Sequence, residues 1–104
     1  MPHLGDRLRN FNGKMVVYDL CETYHRIGTF QFKIVLDKTF KNGHDIAIEM
    51  FDPDNNRIPV LVETWGRKIN CTFSISNDVH DGVCLLKVNL PGRLEETLQY
   101  WIIK

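Results

Sequence analysis

The sequence predicts an all-β protein, an antiparallel seven-stranded β-sandwich. Three observations carry that reading. Apolar and polar residues alternate with period two along most of the chain, as in strands that bury one face. Turn signals break the alternation at intervals of about twelve residues, among them Asp52-Pro53-Asp54-Asn55-Asn56, Asp81-Gly82 and Pro91-Gly92. No stretch has the periodicity of a long helix, and the connections are too short for the crossover helices of a parallel sheet.

Residues Met1 to Gly13 lack periodicity and carry Gly5, Asn10, Asn12 and Gly13. They read as an arm with a helical turn around Asp6 to Arg9, which divides the chain into an arm over 1–13 and a sandwich over 14–104. The first strand spans Lys14 to Leu20, with Val16, Tyr18 and Leu20 on one face. Cys21 to Ile27 is a polar loop or irregular edge. The second strand, Thr29 to Leu36, has the clearest inward row: Phe30, Phe32, Ile34 and Leu36. A charged connection with Phe40 follows and ends in the turn pair Asn42-Gly43.

The stretch Ile46 to Val62 reads as a hairpin at the centre of the core. Ile46, Ile48 and Met50 alternate on one side of the Asx- and Pro-rich turn, and Ile58, Val60 and Val62 on the other. Thr64 to Lys68 is the next turn. The fifth strand runs from Ile69 to Ile75, with Ile69, Cys71, Phe73 and Ile75 inward. The sixth, Val83 to Leu90, turns Cys84, Leu86, Val88 and Leu90 inward. The seventh, about Glu95 to Ile103, sets Leu98, Tyr100 and Ile102 against Gln99, Trp101 and Ile103, so either Tyr100 or Trp101 is half-exposed.

The chain has 104 residues, enough for one core, and 43% hydrophobic with 25% charged residues is a globular composition. Thirteen basic residues balance thirteen acidic ones. A neutral chain has no long-range pull on phosphate, so nucleic acid is not an expected partner, although a local basic patch is compatible with that balance. No run approaches the roughly 18 apolar residues of a membrane span or resembles a signal peptide. The protein is therefore expected to be soluble, inside the cell or associated with a virion. Cys21, Cys71 and Cys84 match no zinc spacing and read as free thiols; a Cys71–Cys84 bond is geometrically open, with two buried thiols the preferred alternative.

From Asp45-Ile46 through Asp52-Pro53, at Phe73, and from Asp81-Gly82 to Asn89, the chain resembles immunoglobulin-like sandwiches of the macroglobulin or GOLD type. The resemblance covers roughly Gly28 to Lys104 and implies an immunoglobulin-like fold. It carries no cargo-receptor role, because Val83 and Cys84 follow Gly82 where the GOLD pattern has Gly-x-Tyr, and Lys87 stands where a later Cys is expected. Antibody-type domains are matched in strand count only, since Trp65 precedes both Cys71 and Cys84.

Catalytic chemistry has no motif behind it. Asp52 to Glu63 places oxygens at calcium-loop spacing, but Arg57 occupies the position where such a loop needs Gly, and a strand follows. His25 near Cys21 lacks the signatures of a cysteine nucleophile, and His3, His44 and His80 stand apart. Asn70-Cys71-Thr72 matches a glycosylation acceptor inside a strand. No catalytic, metal or cofactor residue is assigned.

Binding is the remaining class. Trp65, Tyr24, His25, Arg26, Arg67, Lys68 and Trp101 form the candidate set, as aromatic and basic side chains in loops or on an outer strand face. The expected function is that of a non-enzymatic interaction or assembly module with a protein partner or a second copy of itself, joined through loops or by strand addition from the arm or the seventh strand. Its most concrete version is a structural or accessory protein of a viral or phage particle, an analogy at fold level. The alternative is a carbohydrate-binding module stacking sugars on Trp65 and Tyr24.

Overall fold

Most of the described strands have one apolar row to bury, and two sheets laid face to face bury those rows together. The computed structural model describes residues 6–11, 15–37, 46–90 and 94–104. The expectations for Phe40, Asn42-Gly43, Pro91-Gly92, His3 and His44 fall outside those residues. Among the described residues there are ten strands and no helix. They are β1 (Asp6–Phe11), β2 (Met15–Cys21), β3 (Thr23–Tyr24), β4 (Gly28–Leu36), β5 (Ala47–Phe51), β6 (Arg57–Ile58), β7 (Val60–Trp65), β8 (Lys68–Ile75), β9 (Gly82–Leu90) and β10 (Leu94–Ile102).

One sheet has the order β1-β2-β4-β8-β7 and the other β3-β10-β9-β5-β6. Every pair is antiparallel except β3 with β10, which is parallel. The expected all-β sandwich is present, with ten strands in place of seven. Two of the additional strands, β3 and β6, have only two residues each, too short to leave a periodicity. The third is β1, which pairs with β2 in the segment read as an arm, so Asp6 to Arg9 is extended rather than a helical turn.

The inward rows are the predicted ones for four strands. Phe32, Ile34 and Leu36 from β4, Ile69, Cys71, Phe73 and Ile75 from β8, Cys84, Leu86, Val88 and Leu90 from β9, and Leu98, Tyr100 and Ile102 from β10 are all buried. Among the described residues no charged side chain is buried with them. Between the sheets lies an aromatic cluster. Phe73 of the first sheet has Tyr24, Phe30, Phe32 and Tyr100 around it, at ring-centroid distances of 5.4, 5.9, 6.0 and 6.1 Å. Edge-on and tilted contacts of this kind each add roughly 0.5–1.5 kcal/mol to the burial of the rings.

Two departures have local causes. On β2, Met15, Val17 and Leu20 face the core while Tyr18 is exposed, which splits the predicted row of Val16, Tyr18 and Leu20. Asp19 has φ 64°, and the β1–β2 register shifts between Arg7 and Arg9. This is a β-bulge that inserts one residue and restores Leu20 to the inner face. The second departure is the hairpin read as central. Its two sides pair only at Met50 with Ile58 and Phe51 with Arg57. Pro59 then ends that ladder, having no N–H to donate, and the chain passes to the other sheet, where β7 pairs with β8. The hairpin therefore lies at the rim, joining the edges of both sheets.

Candidate functional site

The turn between β7 and β8 is two residues, Gly66-Arg67, closed by the pair Trp65 and Lys68. Gly66 has φ 64°, and Arg67 has no positive φ, which is the type II′ pattern suited to the strand twist. The turn is tied to its neighbour as well. The backbone N–H of Leu36, at the end of β4, donates to the carbonyl of Arg67 at 2.9 Å. Trp65, Arg67 and Lys68 are thereby held on a rigid corner rather than on a loose loop.

The outer face of the first sheet continues from that corner. By register, Trp65, Lys68, Val35 and Val16 form one cross-strand row, and Glu63, Asn70, Lys33 and Tyr18 form the next. Directly opposed side chains in such rows lie about 5 Å apart at Cβ and diagonal ones about 7–8 Å. Lys33, Val35, Trp65, Arg67, Lys68 and Asn70 line a shallow pocket of about 530 Å³. Trp65 is 81% exposed and forms one wall. Lys33 reaches toward Asp19 at 4.0 Å, an ion pair between two well-exposed groups that is worth little in water.

The sequence-predicted binding residues separate into three places. Trp65, Arg67 and Lys68 come together at this pocket. Tyr24 does not join them: it is buried in the aromatic cluster, with its hydroxyl accepting the Cys21 backbone N–H at 3.1 Å, so it offers no ring to a ligand. The short β3 is the reason, because pairing with β10 turns Tyr24 inward. His25 is exposed, and its Nδ1 lies 2.9 Å from the Ile103 carbonyl, to which it donates, clipping the end of the chain to β3. Arg26 is exposed beside it. Trp101 is 42% exposed on the outer face of the second sheet, next to Thr23 and Val83, while its neighbour Tyr100 is fully buried.

Lys33, Val35 and Asn70 were missing from the sequence reading. Their signal was the polar half of two alternating strands, which becomes a site only once register sets β4 beside β8 and β8 beside β7.

All three cysteines are free thiols, and two of them, Cys71 and Cys84, are buried. Burial pushes Cys71 up to about 12. Burial also pushes Cys84 up to about 11, against a smaller opposing effect of the Tyr100 hydroxyl. A thiol held protonated at neutral pH is a poor nucleophile or metal ligand. Among the described residues no group of three or more His, Cys, Asp or Glu could hold a metal ion, and no helix is long and apolar enough to cross a membrane.

The turn Asp52 to Asn56 is held by its own side chain. Asp52 Oδ1 accepts the N–H groups of Asp54 at 2.9 Å and Asn56 at 2.8 Å, the Asx geometry anticipated for it. Asp54 in turn meets His80 Nδ1 at 2.5 Å.

Neither a family model nor a curated protein matches the chain. Among solved structures, the crystal structure of the Lin-41 filamin domain is similar, with a TM-score of 0.63 over 95% of this chain and 92% of that one, at 9% identity. At that identity the likeness concerns the fold alone: this chain is an immunoglobulin-like β-sandwich similar to a filamin domain.

Proposed function

We propose that this chain is a non-catalytic interaction module that binds another protein through the outer face of its first sheet, at the corner formed by the β7–β8 turn. The exposure of Trp65 on that corner carries the reading. A large aromatic side chain left in water on a rigid mount, beside Arg67 and Lys68, has the composition of an interface hot spot. Trp and Arg supply contact area and bonding at low cost in conformational freedom when their backbone is already fixed.

Immobilised domain, wild type and Trp65→Ala, is the test. Proteins retained by the wild type and lost from the variant support the reading; identical retention by both overturns it. Light scattering over a concentration series asks whether the partner is a second copy, as a structural or accessory role in a viral or phage particle requires. The sugar alternative has lost Tyr24 to the core and rests on Trp65. Oligosaccharide binding that disappears in Trp65→Ala, with no protein retained, would replace the protein reading with it.

A further inference from the structure

We infer that the pocket on the outer face of the first sheet takes an acidic peptide segment, with carboxylates held by Lys33, Arg67 and Lys68 and an apolar side chain laid on Trp65 and Val35. The inference rests on the proposed interaction role and names the chemistry of its partner.

The charge of the lining carries it. Three of the six lining residues are cationic and none is acidic, in a chain whose formal net charge is zero. Lys68 stands opposite Val35, and Lys33 is two residues away on β4, so the two lysines are diagonal neighbours about 7–8 Å apart. Arg67 adds a third positive group from the turn. Like charges at such spacing repel, and an anion placed among them relieves that repulsion while gaining charge-assisted hydrogen bonds.

The floor between them is apolar. Val35 is half-buried and lines the pocket with Trp65, which gives a partner's apolar side chain a surface to cover. Asn70 adds an amide able to donate and accept toward a peptide backbone.

The limits of the patch favour a short peptide over a nucleic acid. Glu63 lies opposite Asn70 on one side, and Asp19 lies beside Lys33 on the other. A phosphate backbone needs a positive track several nucleotides long. Among the described residues, a carboxylate borders the cationic lining on either side along the face.

The test uses fluorescence anisotropy of a labelled pentapeptide, a central phenylalanine with two glutamates on each side, titrated with the full chain. The expected result is saturable binding that weakens about tenfold when salt rises from roughly 50 to 300 mM, and about tenfold or more in Lys33→Glu/Lys68→Glu. Trp65→Ala should weaken it with little change in the salt dependence. Lys87→Glu, on the opposite sheet, should leave it unchanged.

Binding equal in Lys33→Glu/Lys68→Glu, or equal for a peptide carrying lysines in place of glutamates, overturns the inference. So does tighter binding of a labelled oligothymidylate. If the acidic peptide fails to bind while Trp65-dependent protein retention persists, the acidic class falls and the interaction role stands.

Discussion

The backbone amide of Leu36 donates to the carbonyl of Arg67 at 2.9 Å, which fastens the β7–β8 turn to the end of β4, the strand paired with β8. Leu36 is itself buried and pairs with Met15, so the turn is anchored to the core through one backbone contact. The first prediction concerns that turn. Gly66 has φ 64° and open space where a Cβ would go. Gly66→Ala should therefore cost only the backbone penalty of a positive φ, about 1–2 kcal/mol. Urea unfolding measures this; a loss well above that would mean that the side chain meets an obstacle.

Gly82 presents the contrasting case. Its φ is 146°, and an added Cβ would lie 3.0 Å from the Pro53 Cβ. Gly82→Ala should cost more than Gly66→Ala, about 2–3 kcal/mol, because steric conflict joins backbone strain. In the Pro53→Gly background, which removes both the Cβ and the Cγ that the new methyl meets, the cost should fall without vanishing, since the backbone penalty remains. A double-mutant cycle by chemical denaturation reads the coupling, and additive losses would rule out the contact.

The core thiols predict loss of stability in alkali. Cys71 ionises at about 12 and Cys84 at about 11 in the folded chain, whereas both titrate near 9 when exposed. Above pH 9 the unfolded state therefore holds fewer protons than the folded one, and stability must fall as pH rises. The loss runs from about pH 9 to each folded value, at roughly 1 kcal/mol per pH unit for each thiol. Urea midpoints at pH 8 and 10.5 should differ less in Cys71→Ala than in the wild type. An unchanged slope would show that Cys71 is reached by solvent.

Tyr100 carries the one buried side-chain polar atom without a hydrogen-bond partner among the described residues, its hydroxyl. Burial pushes the pKa of that phenol far above its ordinary value, and the neighbouring Cys84 raises it further. The hydroxyl's polar neighbour is the Cys84 thiol, a weak hydrogen-bond partner that returns little of the desolvation cost, so Tyr100→Phe should be close to neutral or stabilising. Thermal melting decides it; a loss beyond about 1 kcal/mol would reveal a hydrogen bond to a bound water.

Legibility of the fold followed the length of its strands. Phe32, Ile34 and Leu36, or Ile69 through Ile75, announce their inner face because alternation persists long enough to register. Residues Ile46 to Val62 read as one hairpin because alternation is the same whichever sheet a strand joins. Only the missing N–H at Pro59 marks the change of partner. Tyr18 and Leu20 were placed together because a bulge at Asp19 leaves no periodic trace. At the site, the turn residues Trp65, Arg67 and Lys68 were legible from type and position. Lys33, Val35 and Asn70 depend on lateral order between strands far apart in sequence, and Tyr24 was misplaced for want of a visible two-residue strand.

The parallel pairing of β3 with β10 bears on how the molecule would respond to tension. β3 follows β1 and β2 and β10 is the last strand described, so once β1 and β2 have been stripped away a pull on the two ends drags β3 and β10 past each other lengthwise. The bonds from Trp101 N–H to the Glu22 carbonyl at 2.8 Å and from Ile103 N–H to the Tyr24 carbonyl at 2.9 Å would then be loaded together, with the His25 contact beside them. A shared load resists where a zipper would yield bond by bond. Stretching single molecules should register this patch as a force peak, diminished in His25→Ala.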